Sequence, residues 1–200
     1  MYMKAFALLL GVFTISACAN TAAPPLNQYL YNLSQNPKDL SQQYQACLLL
    51  GELSLSEKLV AKITKHQEKE TGSFSCNTYL LAKQNYDITS LNRFVNAFPR
   101  GAKQSSLWRR HAESGYLLGV LPASFKLLSQ VAIQDNNALD TLVSGIAFAD
   151  GGHGEALIEV IAKIHARMPA RVNQSFKRMN IKSRDADIIY NLSTHMKGKL

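Results

Sequence analysis

From Leu26 onward the apolar residues of this chain return every three or four positions, and nowhere do they alternate strictly with polar ones over the length of a strand. Residues 88–98 place Leu91, Phe94, Val95 and Phe98 on one face before Pro99 stops the pattern. Residues 137–149 do the same with Leu139, Leu142, Val143 and Ile146. Residues 155–168 carry Leu157, Val160, Ile161, Ile164 and Met168 up to Pro169, and a last segment carries Ile188, Ile189, Leu192 and Met196. The i, i+3, i+4, i+7 spacing predicts helices with one buried face.

Boundary chemistry sharpens these elements. Ser54 with Glu57 fits a capping box opening a helix over 55–69. Pro122 suits the first turn of a helix running to about Gln134, where its missing N–H is not needed. Asp150-Gly151-Gly152 reads as a breaker between two amphipathic helices. The sum is an all-α chain of about ten short helices, with loops short enough to favour antiparallel neighbours. Helix pairs of this size also stack as α-solenoids, yet no fixed period and no recurring tetratricopeptide positions occur. An irregular helical bundle and a degenerate α-solenoid therefore both remain open for a single domain over 26–200.

The first 25 residues follow another logic. Residues 1–17 carry Lys4, an uncharged run from Ala5 to Ile15, and then small residues. This is the order of an export signal, too short for a membrane span. Ile15-Ser16-Ala17-Cys18 resembles the lipobox of bacterial lipoproteins. The resemblance, which covers residues 1–18, implies cleavage before Cys18 and acyl chains, palmitate among them, on its thiol and new amino group. Because Ala19 rather than Asp follows the cysteine, it also implies sorting to the outer membrane, facing the periplasm. Ala17-Cys18-Ala19 fits ordinary A-x-A cleavage as well, which would release a protein beginning at Asn20. Residues 19–25 (ANTAAPP) read as a tether of about 23 Å at full extension, so that 18–25 form anchor and tether.

An export signal changes what the remaining cysteines mean. In an oxidising compartment Cys47 and Cys76 are most simply a disulfide. The alternatives are two buried thiols or half of a metal site, and the chain has no C-x-x-C. At 46% apolar and 18% charged residues the composition is that of an ordinary globular protein.

Charge is distributed unevenly. The chain holds 22 Lys and Arg against 14 Asp and Glu. Residues 18–162 balance at twelve of each, whereas 163–200 hold nine cations against Asp185 and Asp187. On one continuous helix Arg171, Arg178 and Lys182 would align within about 20°, with Val172, Phe176 and Met179 about 100° away as a buried edge. Such a stripe is either a solvated face or a contact for an anionic partner. In the envelope those partners are an acidic protein patch, lipid head groups, lipopolysaccharide or peptidoglycan carboxylates. Few aromatics accompany the stripe, which disfavours nucleic acid.

Two motifs invite a chemical reading. In Gly151-Gly152-His153-Gly154-Glu155 the H-x-E spacing occurs in zinc deaminases, but the P-C-x-x-C partner is missing. His153 and Glu155 would need a further ligand such as His111 or His165, and no H-E-x-x-H spacing exists. Glycines making a turn, with Glu155 at the positive end of the next helix, account for the segment, and no metal or cofactor is expected. Glu113-Ser114-Gly115-Tyr116, followed by Gly119-Val120-Leu121-Pro122, resembles lytic transglycosylases, whose catalytic glutamate sits in E-S-x-F/Y ahead of G-L-M-Q. Here the spacing is too short and the Gln is absent. Trp108, Ala112, Gly115 and Gly119 fit close helix packing instead. Nucleophile elbow, P-loop and dinucleotide fingerprint are all missing.

The expected function is that of a non-enzymatic scaffold, adaptor or assembly factor of a cell-envelope machine, of the pilotin, secretion or conjugation type. The alternative is a peptidoglycan-active or ligand-binding envelope protein using Glu113 or the Gly151–Glu155 loop.

Overall fold

Alternating burial along short helices, joined end to end, produces a layered all-α bundle. The computed structural model describes residues 25–36, 40–70, 75–98, 100, 120–147 and 151–197; Cys18, His111 and Glu113 lie outside them. The described residues form ten α-helices and no strand. The N-terminal five are α1 (Leu26–Ser34), α2 (Leu40–Gly51), α3 (Glu57–Gln67), α4 (Cys76–Asn85) and α5 (Ile88–Ala97). The C-terminal five are α6 (Val120–Ala132), α7 (Asn136–Ser144), α8 (Gly151–Arg167), α9 (Pro169–Arg178) and α10 (Ser183–Lys197).

Two helices organise the packing. α4 touches α2, α3, α5 and α6, and every residue from Cys76 to Ala82 is buried. A helix enclosed all round needs no apolar stripe, which is why periodicity does not single it out. α8, at 17 residues the longest, touches α6, α7, α9 and α10. The halves join where α2 and α4 meet α6 and where α5 meets α7. A row of aromatic rings runs through this junction. Tyr79, Phe94, Phe98 and Phe125 follow one another with centroids 6.5, 6.0 and 6.1 Å apart, tilted to edge-on, and all are buried.

The Cys47–Cys76 disulfide is present and links α2 to α4, with Cα atoms 5.9 Å apart. Nearby, buried Asn77 donates to Glu70 Oε1 at 2.7 Å and exchanges hydrogen bonds with the Gln35 amide at 3.2 and 3.3 Å. Its amide is thereby satisfied in a place where an unpaired one would be costly. One turn before Gln35, Tyr31 Oη pairs with His66 Nδ1 at 2.7 Å and holds α1 against α3.

Several expected boundaries hold and some move. α5 ends just before Pro99, and Pro122 sits in the first turn of α6. Pro169 both stops α8 and occupies the first position of α9. The cap of α3 is Ser56, which accepts from the Leu59 N–H, rather than Ser54. The reason is Gln84 on α4, whose side chain donates to Leu53 O at 2.7 Å and accepts from the Leu55 N–H at 3.4 Å. That clamp keeps 53–55 out of the helix. Of the breaker expected at Asp150-Gly151-Gly152, the two glycines already belong to the first turn of α8, and Asp150 lies outside the described residues. Gly154 is buried in that turn, so tertiary packing outweighs the weak helix propensity of glycine. Ile188 is 44% exposed, and the buried edge of α10 runs through Ala186, Ile189 and Ser193.

Candidate binding surfaces

The basic stripe is real as far as Arg178, and its counterpart is inside the molecule. On α9, Arg171, Ser175 and Arg178 share one face by spacing, and all three reach α7 or the turn before it. Arg171 donates to Asn136 Oδ1 from Nε at 3.1 Å and from Nη2 at 2.7 Å, and its Nη1 donates to the Ile133 carbonyl. Arg178 grips Asp140 with two parallel bonds of 2.8 and 2.7 Å, while Ser175 donates to the same carboxylate at 2.6 Å. This is the fork geometry in which arginine binds carboxylate best. Burial works against the charge of Asp140. Hydrogen bonds from Arg178 and Ser175, aided by the Arg178 and Arg100 charges, outweigh it and hold the carboxyl below its usual value.

Lys182 leaves this helix altogether. Asn180 takes a left-handed conformation, φ 53°. The Ile181 N–H then reaches Phe176 O at 3.0 Å and the Asn180 N–H reaches Lys177 O at 3.3 Å. That paired closure is a Schellman end, with Ile181 packed against the core cluster to which Phe176 belongs. Lys182 therefore stands exposed beyond the stop, off the axis that would align it with Arg171 and Arg178.

Of the metal and acid candidates, Glu155 and His165 fall among the residues whose side chains are described. Residues 151–155 are the first turn of α8 rather than a loop, and Glu155 is exposed there. His165 is 6% exposed, with Nδ1 on Ser193 Oγ at 2.8 Å, Nε2 on Asn173 Oδ1 at 3.3 Å, and the Tyr190 ring 4.9 Å away. Both its nitrogens are engaged in holding α8 to α9 and α10. Among the described residues no three His, Cys, Asp or Glu side chains come together as metal ligands, and no helix is long and apolar enough to cross a membrane.

Among the concavities of the described residues, two differ sharply in chemistry. A polar one of about 340 Å³ lies between α3, α4 and α5, lined by Gln67, Asn85, Asp87, Ser90 and Arg93. Its charges are spent locally: Asp87 caps α5 by accepting from the Ser90 N–H at 2.9 Å, and Arg93 donates to Gln67 at 3.0 Å. The other is a groove of about 710 Å³ formed by α6, α8 and α10. Ile133, Val160, Ile164, Met168 and Met196 make its floor, and Lys126, Lys163 and Arg167 stand along its edges. Among the described residues no carboxylate lines it. Among the described residues neither Lys126 nor Arg167 has an ion-pair partner, while Lys163 pairs with Glu159 one turn earlier. Ile133 is 43% exposed at one end.

Helical periodicity marked Val160, Ile164, Met168 and Met196 as buried positions; Ile164 is buried, and the half-buried Val160, Met168 and Met196 are the surplus that the groove exposes. No local signal marks Lys126 as part of it. Comparisons with protein families, with characterised proteins and with solved structures return no match to this chain.

Proposed function

We propose that this chain is a lipoprotein held by acyl chains on Cys18 at the periplasmic face of the outer membrane, working as a non-enzymatic adaptor or assembly factor of a cell-envelope machine of the secretion, pilus or conjugation type. The observation that carries the binding role is the open groove of α6, α8 and α10, which combines a partly exposed apolar floor with Lys126 and Arg167, two cations that have no ion-pair partner among the described residues. The address rests on Ile15-Ser16-Ala17-Cys18 and the short apolar run before it. A disulfide between Cys47 and Cys76 supports an oxidising compartment. Two or more acyl chains anchor durably where one does not, and the tether keeps the bundle within a few nanometres of the bilayer.

Fractionation tests the address. The parent chain is expected in the membrane fraction, with its amino-terminal peptide heavier by the mass of the acyl chains. Cys18→Ser is expected in the soluble fraction. Membrane retention of the variant, or an unmodified Cys18 in the parent, would overturn the anchor.

A further inference from the structure

The groove is more specific than an apolar surface, because two of its helices bring cations to it. Lys126 stands on α6 and Arg167 on α8, beside Lys163, which already pairs with Glu159. The lining runs seven residues along one wall, from Lys126 to Ile133, and eight along the other, from Val160 to Met168, giving a trough about two helical turns long. From this geometry we infer that the groove receives an amphipathic helix of a partner protein, with an apolar ridge at i, i+3, i+4 and i+7 and carboxylates on both flanks of the ridge.

The ridge fits a two-turn floor, and acidic flanks meet the cations of α6 and α8. A membrane surface does not fit as well: a flat array of head groups touches the rims of a concave site and leaves Met168 and Met196 uncovered. A single acyl chain would cover the floor but leave the cations of one helix unmatched. The two methionines suit a helix whose ridge residues vary, since an unbranched thioether repacks at little cost. This inference rests on the adaptor reading for where the partner resides, and its test is independent of the anchor.

The test uses the full chain carrying Cys18→Ser, so that no detergent competes for the floor. The probe is a labelled 18-residue synthetic helix with Leu at i, i+3, i+4 and i+7 and Glu on both flanks, read by fluorescence anisotropy. Controls are the same peptide with Lys for every Glu, and vesicles of phosphatidylglycerol and phosphatidylcholine. The Glu peptide is expected to bind saturably and at least tenfold more tightly than the Lys peptide. Lys126→Glu with Arg167→Glu is expected to weaken it about tenfold, as is a rise in salt that screens rim charges, with the thermal melt unchanged. Ile133→Ser is expected to weaken both peptides, because it removes floor rather than charge. Equal binding of the two peptides, absence of saturation, or vesicle binding lost on the same charge reversals would overturn the assignment. A failed Cys18 fractionation would leave this result standing, and the converse also holds.

Discussion

Single side chains in this protein are constrained by partners far along the chain, and Gly51 is the plainest case. A Cβ built there would lie 3.0 Å from Tyr79 Cε1 and 3.1 Å from its hydroxyl oxygen. Tyr79 cannot move aside, since it is 1% exposed and its other face leads into Phe94 and the aromatic row. Gly51→Ala is therefore expected to destabilise by about 1–3 kcal/mol, as overpacked cores do, despite alanine's better helix propensity. Thermal unfolding followed by circular dichroism checks it; an unchanged or higher Tm would show that the ring has room to shift. The sequence marks glycines at Gly115 and Gly151 through their motifs, but nothing near position 51 hints at this requirement. A ring 28 residues away imposes it, and such a partner is invisible to local pattern.

At the scale of elements, the same non-local logic explains why the helices were legible and their pairings were not. Periodicity located the buried edges of α5, α7 and α8 because a helix displays its core face in its own residues. It could not show that the basic face of α9 answers Asn136 and Asp140, 35 and 38 residues upstream. Nor did it place the stop at Asn180, where a Schellman end needs only a residue tolerant of positive φ and an apolar pair. The α7–α9 joint makes a pH prediction. Asp140 titrates below its usual 3.8 in the folded protein, so its contribution is complete at neutral pH and is lost as pH falls through the folded value. Asp140→Asn is expected to melt a few degrees below the parent at pH 7, with the gap narrowing as pH drops below about 4 and closing under still more acid conditions. A gap that stays constant on acidification would mean that the side chain's shape rather than its charge matters.

For the whole molecule, the all-α class was legible because most segments, α4 apart, repeat one periodicity, whereas the closure of the bundle depends on which helices share a neighbour. α4 is the shared neighbour of the N-terminal half, and the disulfide pins it to α2 at Cys76, its first residue. The bridge spans 29 residues, enclosing α3 and its flanking loops. Cross-linking a loop of that size removes chain entropy from the unfolded state worth about 3–4 kcal/mol. Folding does not depend on the bridge for its topology, since α4 is also held by α3, α5 and α6 and by the row from Tyr79 to Phe125. Replacing both cysteines by alanine is therefore expected to lower stability by about that amount while the denaturant transition remains single and the helix content is kept. The same shift should follow reduction of the parent and should be absent when reductant is added to the double variant. Two separate transitions would show instead that the bridge couples halves that otherwise unfold independently, and that the aromatic row alone does not make them one cooperative unit.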